Sequence, residues 1–306
     1  MKKAIVTGAT GAVGTALVNK LISENVETLV LVRKEGRIDK VPKSPLVKIA
    51  YCSLDEMADF QNTDNEKYDA FFHLAWAGPY GKDRNDMFLQ TNNIKNELDA
   101  VKMAHRFGCE VFVGAGSQAE NGRLPDGTKV SPDSPTNPDN GYGIAKLASG
   151  KMSRILCNQL GIRHEWCRIL SAYGPGDGVH TMVMSTIIKF LNGEDCDFTK
   201  GEQQWDFCYN GDIANAFYLV AEKGKADAVY AIGSGKTKSL KEYITTIRDI
   251  ACPNAKCNFG AVDYFPNQVM YLCADITDLQ RDTGFEPTVD FETGIKNTVE
   301  WYLRSK

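Results

Sequence analysis

The 306-residue chain has no long apolar run, no strong excess of either charge and no paired-cysteine motif. Its apolar stretches fall short of the roughly 18 residues that a membrane span needs. Lys2 and Lys3 precede only a brief apolar segment that turns at once into Thr7-Gly8, too short for the core of a secretory signal. A cytoplasmic protein without a membrane partner is therefore expected. A net charge of −4 and a pI near 5.7 argue against a nucleic-acid partner. The nine cysteines (52, 109, 157, 167, 196, 208, 252, 257 and 273) are scattered and odd in number, which reads as reduced thiols. Cys252 and Cys257 are the nearest pair, and with no second Cys/His cluster no metal site is expected. No internal repeat or low-complexity tract is visible.

What the chain does have is a glycine comb, TGATGAVG from Thr7 to Gly14, directly behind the apolar run Ala4-Ile5-Val6. Apolar residues at helical spacing continue from Ala12 to Ile22, so a strand passes through a tight turn into a helix. In such a unit Gly8 permits the turn, Gly11 lets backbone approach a pyrophosphate, and Gly14 lets helix pack on strand. The free N–H groups of the helix start favour an anion. Thr10, Ala12 and Val13 complete this turn, and a dinucleotide is the expected ligand.

Apolar and amphipathic segments then alternate. Strands are expected at 3–7, 28–32, 47–51, 70–74, 111–114 and 164–169, with helical patterns near 12–24, 86–106 and 142–160. This alternation predicts an α/β fold, a Rossmann-type doubly wound parallel sheet whose ligands lie beyond the carboxyl ends of the strands. After residue 170 the texture changes. YGPGDG (173–178) breaks the chain, an apolar helix follows at 181–192, and short strands and turns fill 195–270. The expected division is a dinucleotide-binding domain over 1–170 and a smaller C-terminal substrate-binding lobe over 171–306, with segments returning to the main sheet. The stretch from Pro125 to Pro138 reads as a surface loop.

Tyr142 and Lys146 are one helical turn apart, so the ammonium is expected near the phenol, favouring its ionised form. A phenol that titrates at ~10 becomes usable near neutral pH in that setting. In a carbonyl reduction Tyr142 would donate a proton to the developing alkoxide while the Ser117 hydroxyl, expected in a Gly-rich loop after a strand, hydrogen-bonds the same oxygen. At the end of the second strand, where an acidic residue selects NAD, the chain reads Leu31-Val32-Arg33-Lys34. A guanidinium at Arg33 suits a 2′-phosphate, so NADP is expected, with NAD as the alternative.

Several features converge: the comb, the His73-Leu-Ala run, Ser117 twenty-five residues before Tyr142, the Tyr-x-x-x-Lys spacing, and Arg168 followed by Tyr173-Gly174-Pro175. With Trp205-Asp206-Phe207, Asp212 and Gly284-Phe285-x-Pro287, they resemble the extended short-chain dehydrogenase/reductases, the nucleotide-sugar epimerase/dehydratase/reductase superfamily. The resemblance spans nearly the whole chain. It implies that Lys146 holds nicotinamide-ribose hydroxyls, and that Ser53 and Leu54 stand beside adenine. Leu74, Ala75 and Trp76 would line the path from pyrophosphate to ribose, and Asn93 would brace the turns. It further implies a nucleotide-sugar substrate near Ser117, Gln118, Tyr142, Ser171, Tyr173 and Trp205, with Tyr80, His180 and Met182 as further pocket candidates. Lys189, Lys200 and Arg281 are the cations available for a diphosphate.

The chain also departs from the family pattern. Gln118 and Ala119 occupy the positions where the 4,6-dehydratases carry Asp and Glu, and neither shuttles a proton, which disfavours dehydration by that route. Ser53, Ser171 and Trp205 replace the usual Asp, Asn and Arg. Three readings follow: reduction of a 4-keto nucleotide sugar by NADPH, 4-epimerisation with tightly held NAD(P), and a non-catalytic dinucleotide-binding regulator. Relatives pair through the helices corresponding to 86–106 and 142–160, so a homodimer is implied through faces carrying Met87, Leu98, Val101, Met103, Met152 and Leu156.

Overall fold

A computed structural model describes every residue except Asp64, Asn267 and Lys306. The chain begins with β1 (Lys3–Thr7), α1 (Ala12–Ser23), β2 (Glu27–Val32), β3 (Val47–Tyr51), β4 (Ala70–His73) and α2 (Met87–Arg106). It continues through β5 (Val111–Ser117), α3 (Gly141–Leu160), β6 (Arg163–Ile169), β7 (Ser171–Tyr173), α4 (Met182–Leu191), β8 (Cys196–Phe198), β9 (Gln204–Trp205) and β10 (Phe207–Tyr209). Then come α5 (Asn210–Lys223), β11 (Val229–Ile232), β12 (Lys238–Ser239), α6 (Leu240–Ala251), β13 (Cys257–Phe259), β14 (Tyr271–Leu272), α7 (Thr277–Thr283) and α8 (Phe291–Arg304).

Seven parallel strands form one sheet in the order β11-β6-β5-β4-β1-β2-β3. Strands β1, β2 and β4 are buried nearly throughout, as their continuous apolar runs require in a sheet covered on both faces. Helices α1 and α5 cover one face, where Gly14, Leu17, Val18 and Leu21 form the buried stripe of α1. Helices α2 and α3 cover the other. Side-chain caps start both: Asp86 accepts from the Leu89 N–H, and Asn140 from the Gly143 N–H. The chain order reverses at β1, between β2 and β4, which opens a crevice at the carboxyl ends. Among the described residues no helix is long and apolar enough to cross a membrane.

Six strands and four helices lie where the alternation predicts them, with one informative difference. β5 runs on through Gly114-Ala115-Gly116 to Ser117, so Ser117 ends a strand rather than lying in a loop. The glycines have a packing cause. A Cβ at Gly114 or Gly116 would meet the Trp166 ring at 2.3 Å, and Trp166 is itself buried on β6.

The C-terminal part builds a second core from Tyr173, Val183, Ile187, Phe190, Tyr243, Ile247 and Phe291, with α4, α6 and α8 packed around it. Two buried carboxylates fasten it. Asp206 accepts from the N–H groups of Ser234, Gly235 and Ala274, and Asp212 accepts from those of Thr288 and Val289. β11, from the same part of the chain, pairs with β6 and ends the main sheet.

Candidate active site

The sheet's crevice is a cleft of about 1250 Å³ running from the comb to the N-terminal end of α3. At the comb, Gly8 has φ +75° and the Gly11 N–H donates to its carbonyl at 3.1 Å, closing the turn. A Cβ at Gly14 would lie 2.1 Å from the Gly8 oxygen, whereas one at Gly11 would meet only that oxygen at 3.5 Å. Gly14 is thus required by the fold, while Gly11 leaves bare backbone at the cleft wall. Thr7 ties the neighbouring loop in place: its hydroxyl accepts from the N–H groups of Leu74 and Ala75, each at 3.2 Å.

Every residue expected to hold a dinucleotide lines this cleft. Gly8, Thr10, Gly11, Ala12, Val13 and Gly14 form one wall, Arg33, Ser53 and Leu54 one end, and Leu74, Ala75, Trp76, Tyr142 and Lys146 the other. The bare-glycine cradle and the volume of the cleft fit such a group. The Ser53 hydroxyl is engaged with Asp55 and Glu56 in a helix-capping arrangement. Asn93 braces the loop after β4, accepting from the Ala77 N–H and donating to its carbonyl.

At the far end Ser117, Tyr142 and Lys146 meet. The Tyr142 phenol shares a hydrogen bond with Ser117, and its ring stands edge-on to Trp76 with centroids 6.0 Å apart. Lys146 is buried, and its Nζ donates to the Ala115 carbonyl at 2.7 Å. Burial pushes Lys146 down to about 8, against the opposing pull of Glu97 and Glu120. The expected lowering of the phenol by Lys146 is not what the structure shows. Burial raises Tyr142 above its ordinary value, the Ser117 hydrogen bond opposes this, and the cation that opposes it is Arg84.

Behind Lys146, Glu97 of α2 is fully buried, and neither carboxyl oxygen has a hydrogen-bond partner among the described residues. Burial pushes Glu97 up to about 8, opposed by Lys146. Its neighbour His73, with Nε2 at 3.8 Å, is driven down to about 3 by burial and is neutral.

Glu120 faces away from the cleft. Its Oε1 accepts from the Ser117 N–H at 2.8 Å and from Trp166 Nε1 at 2.9 Å, and its Oε2 pairs with Arg168 at 2.8 Å. Gln118 lines the cleft and Ala119 is buried, so no carboxylate in this turn faces the Ser117 hydroxyl.

Not every expected substrate contact reaches the cleft. Ser117, Gln118, Tyr142 and Ser171 line it, but Tyr173 and Trp205 do not. Tyr173 is 1% exposed and packs against Phe207, Tyr209 and Phe291, so it belongs to the core of the C-terminal part. Trp205 acts one step removed, its Nε1 donating to the Ser171 hydroxyl at 2.8 Å. Lys189 and Lys200 are exposed away from the cleft, and Arg281 is paired with Asp278 and Asp282 on α7. The exposed His180 packs against the Tyr80 ring at 4.4 Å. Arg106 is half-buried and donates to the Met57 carbonyl. Sequence reasoning missed the charged cleft residues Asp55, Arg84, Lys95 and Asp177, of which Arg84 and Asp177 belong to no recurring spacing and are brought in by turns.

Cleft and fold define an NAD-dependent enzyme of the extended short-chain dehydrogenase/reductase superfamily, and the comparisons agree. Residues 4–233 match the NAD dependent epimerase/dehydratase family, and the chain belongs to it. It is 26% identical to a dTDP-glucose 4,6-dehydratase of Shigella flexneri, over 98% of this chain and 92% of that protein. It is 23% identical to a CDP-abequose synthase of Salmonella typhimurium, over 97% of each chain. Among solved structures, a UDP-N-acetylglucosamine 4-epimerase from Methanobrevibacter ruminantium in complex with UDP-N-acetylmuramic acid superposes with a TM-score of 0.88 at 21% identity, covering 100% of this chain and 99% of that one.

Proposed function

We propose that the protein reduces a nucleotide-activated 4-keto sugar with NADPH, Tyr142 acting as proton donor. The observation that carries this reading is the meeting of Ser117, Tyr142 and Lys146 at one end of the cleft, beside a turn whose Gln118 and Ala119 offer no acid or base. A nucleotide sugar as substrate is supported by the names of the relatives, which act on or form dTDP-, CDP- and UDP-linked sugars.

In this reading the comb holds the pyrophosphate on backbone N–H groups, Lys146 holds the ribose beside the nicotinamide, and Arg33 meets a 2′-phosphate at the opposite end. The bound dinucleotide supplies the hydride. Tyr142 donates its proton to the sugar oxygen at the reacting carbon, and Ser117 hydrogen-bonds the same oxygen as charge develops there. Ser171 and Gln118 contact the sugar, with Trp205 orienting Ser171.

A second reading, 4-epimerisation, is favoured by the likeness to a UDP-N-acetylglucosamine 4-epimerase and uses the same three side chains. Titration with NADPH and NADH, followed by a cofactor balance with 4-keto nucleotide sugars, separates the two. One NADP⁺ released for each product supports reduction. An interconversion of sugars that returns the cofactor unchanged supports epimerisation.

We also propose a homodimer through α2 and α3. Met87, Phe88, Ile144, Met152 and Ile155 are all at least 45% exposed on these two helices. Of the other residues expected on this face, Val101 and Met103 lie in the chain's own core, and Leu98 and Leu156 are half-buried.

A further inference from the structure

The Arg84 guanidinium lies over the face of the Tyr142 ring, 4.4 Å from its centroid. Three contacts build this approach. Arg84 Nη1 donates to the Pro79 carbonyl at 3.2 Å, which folds the side chain back into the cleft. The next residue, Asn85, accepts at its Oδ1 from the Gly141 N–H at 3.0 Å, and Gly141 is the first residue of the helix that carries Tyr142. A Cβ at Gly141 would stand 2.9 Å from the Arg84 carbonyl oxygen, so bare backbone is what lets the turn dock there. The turn is itself fastened to α2, since Gln90 Nε2 donates to the carbonyls of Gly78 and Asp83.

We propose that Arg84 is a positioning residue for the reaction, docked on the Tyr142 ring to hold the phenol in place and to stabilise its anionic form as the proton leaves. This rests on the reading of Tyr142 as the proton donor. Lys146, one turn along the same helix, turns one N–H to the Ala115 carbonyl and stands over the Trp76 ring rather than at the phenol. The other groups that act on the phenol divide by sign. The Ser117 hydroxyl from β5 favours the anion, whereas the Glu120 carboxylate and the Tyr80 phenol oppose it, and burial opposes it most. Arg84 is the positive charge that offsets them. Its guanidinium has five N–H donors, and among the described residues one of them is used, at Pro79, beside the proton-transfer site.

The test is a direct titration of the phenol in the full-length chain, with 3,5-difluorotyrosine incorporated at position 142 and its ¹⁹F shift followed against pH. Arg84→Met is expected to move the midpoint upward by about one pH unit or more. Arg84→Lys should move it less, and Lys82→Met, on the exposed side of the same turn, should not move it. Arg84→Gln serves as a second neutral variant, read in the same way. A midpoint unchanged or lowered in both neutral variants overturns the proposal. The reading of Tyr142 itself fails by a different result, full turnover by Tyr142→Phe, which this titration does not measure.

Discussion

The ammonium of Lys146 lies 3.6 Å from the centroid of the Trp76 ring, while its Nζ donates to the Ala115 carbonyl oxygen. A buried cation is thus covered on one side by a π face and held on another by a strand carbonyl. Trp76 is fixed in turn by a hydrogen bond from its Nε1 to Gln90. Trp76→Leu removes the π face and is expected to destabilise the protein by about 1–2 kcal/mol, with Trp76→Phe closer to wild type. Urea unfolding measures both. Equal losses for Leu and Phe would show that the ring's attraction for the ammonium contributes nothing.

The comb separates a folding glycine from a binding glycine. At Gly14 an added Cβ meets the Gly8 oxygen at 2.1 Å, and Gly14→Ala is expected to lower stability by about 2–3 kcal/mol. Gly11→Ala has room and should keep its melting temperature, yet weaken dinucleotide binding at least about tenfold by obstructing the approach to the backbone. Calorimetry on the two variants checks the contrast, which fails if Gly11→Ala binds normally.

Glu97 makes stability depend on pH. The folded protein holds its proton up to about 8, whereas the unfolded chain releases it near 4.5. At this group the unfolded state therefore binds fewer protons between about pH 5 and 7, and the contribution of Glu97 to stability should fall across that window by up to about 1.4 kcal/mol per pH unit. In Glu97→Gln this component is absent, so the variant's stability relative to wild type should rise steadily from pH 5 to 7. A constant difference would mean that Glu97 is ionised in the fold.

Phe88 is 86% exposed at the start of α2. If α2 and α3 form the contact between copies, Phe88→Glu shifts the protein toward monomer in sedimentation equilibrium while leaving its circular dichroism unchanged. A wild-type protein that is already monomeric at high concentration would remove the dimer from the account.

Much of this architecture is legible in the sequence because it depends on local spacing. The comb, the alternation of apolar runs and helical stripes, and the one-turn interval between Tyr142 and Lys146 are short-range patterns, and each appears in the fold. What was hidden depends on contacts across the sheet. The glycines before Ser117 look like a loop until Trp166, some fifty residues later, is seen packed against them. Tyr173 follows the break after β6 like a pocket residue, but side chains from β10 and α8 enclose it. Arg84 sits in a short turn without periodicity, and only the docking of Asn85 on Gly141 brings it to the phenol. The electrostatics were the least legible of all. Spacing put an ammonium near Tyr142, but it did not reveal that this ammonium is turned to a backbone carbonyl.

The central claim is that Tyr142 moves the proton at the reacting carbon. The most direct measurement is the single-turnover rate of NADPH oxidation by Tyr142→Phe with a 4-keto nucleotide sugar that the wild-type protein reduces. The account predicts a loss of about 10²–10⁴-fold with dinucleotide affinity unchanged. A rate within a few-fold of wild type would contradict it.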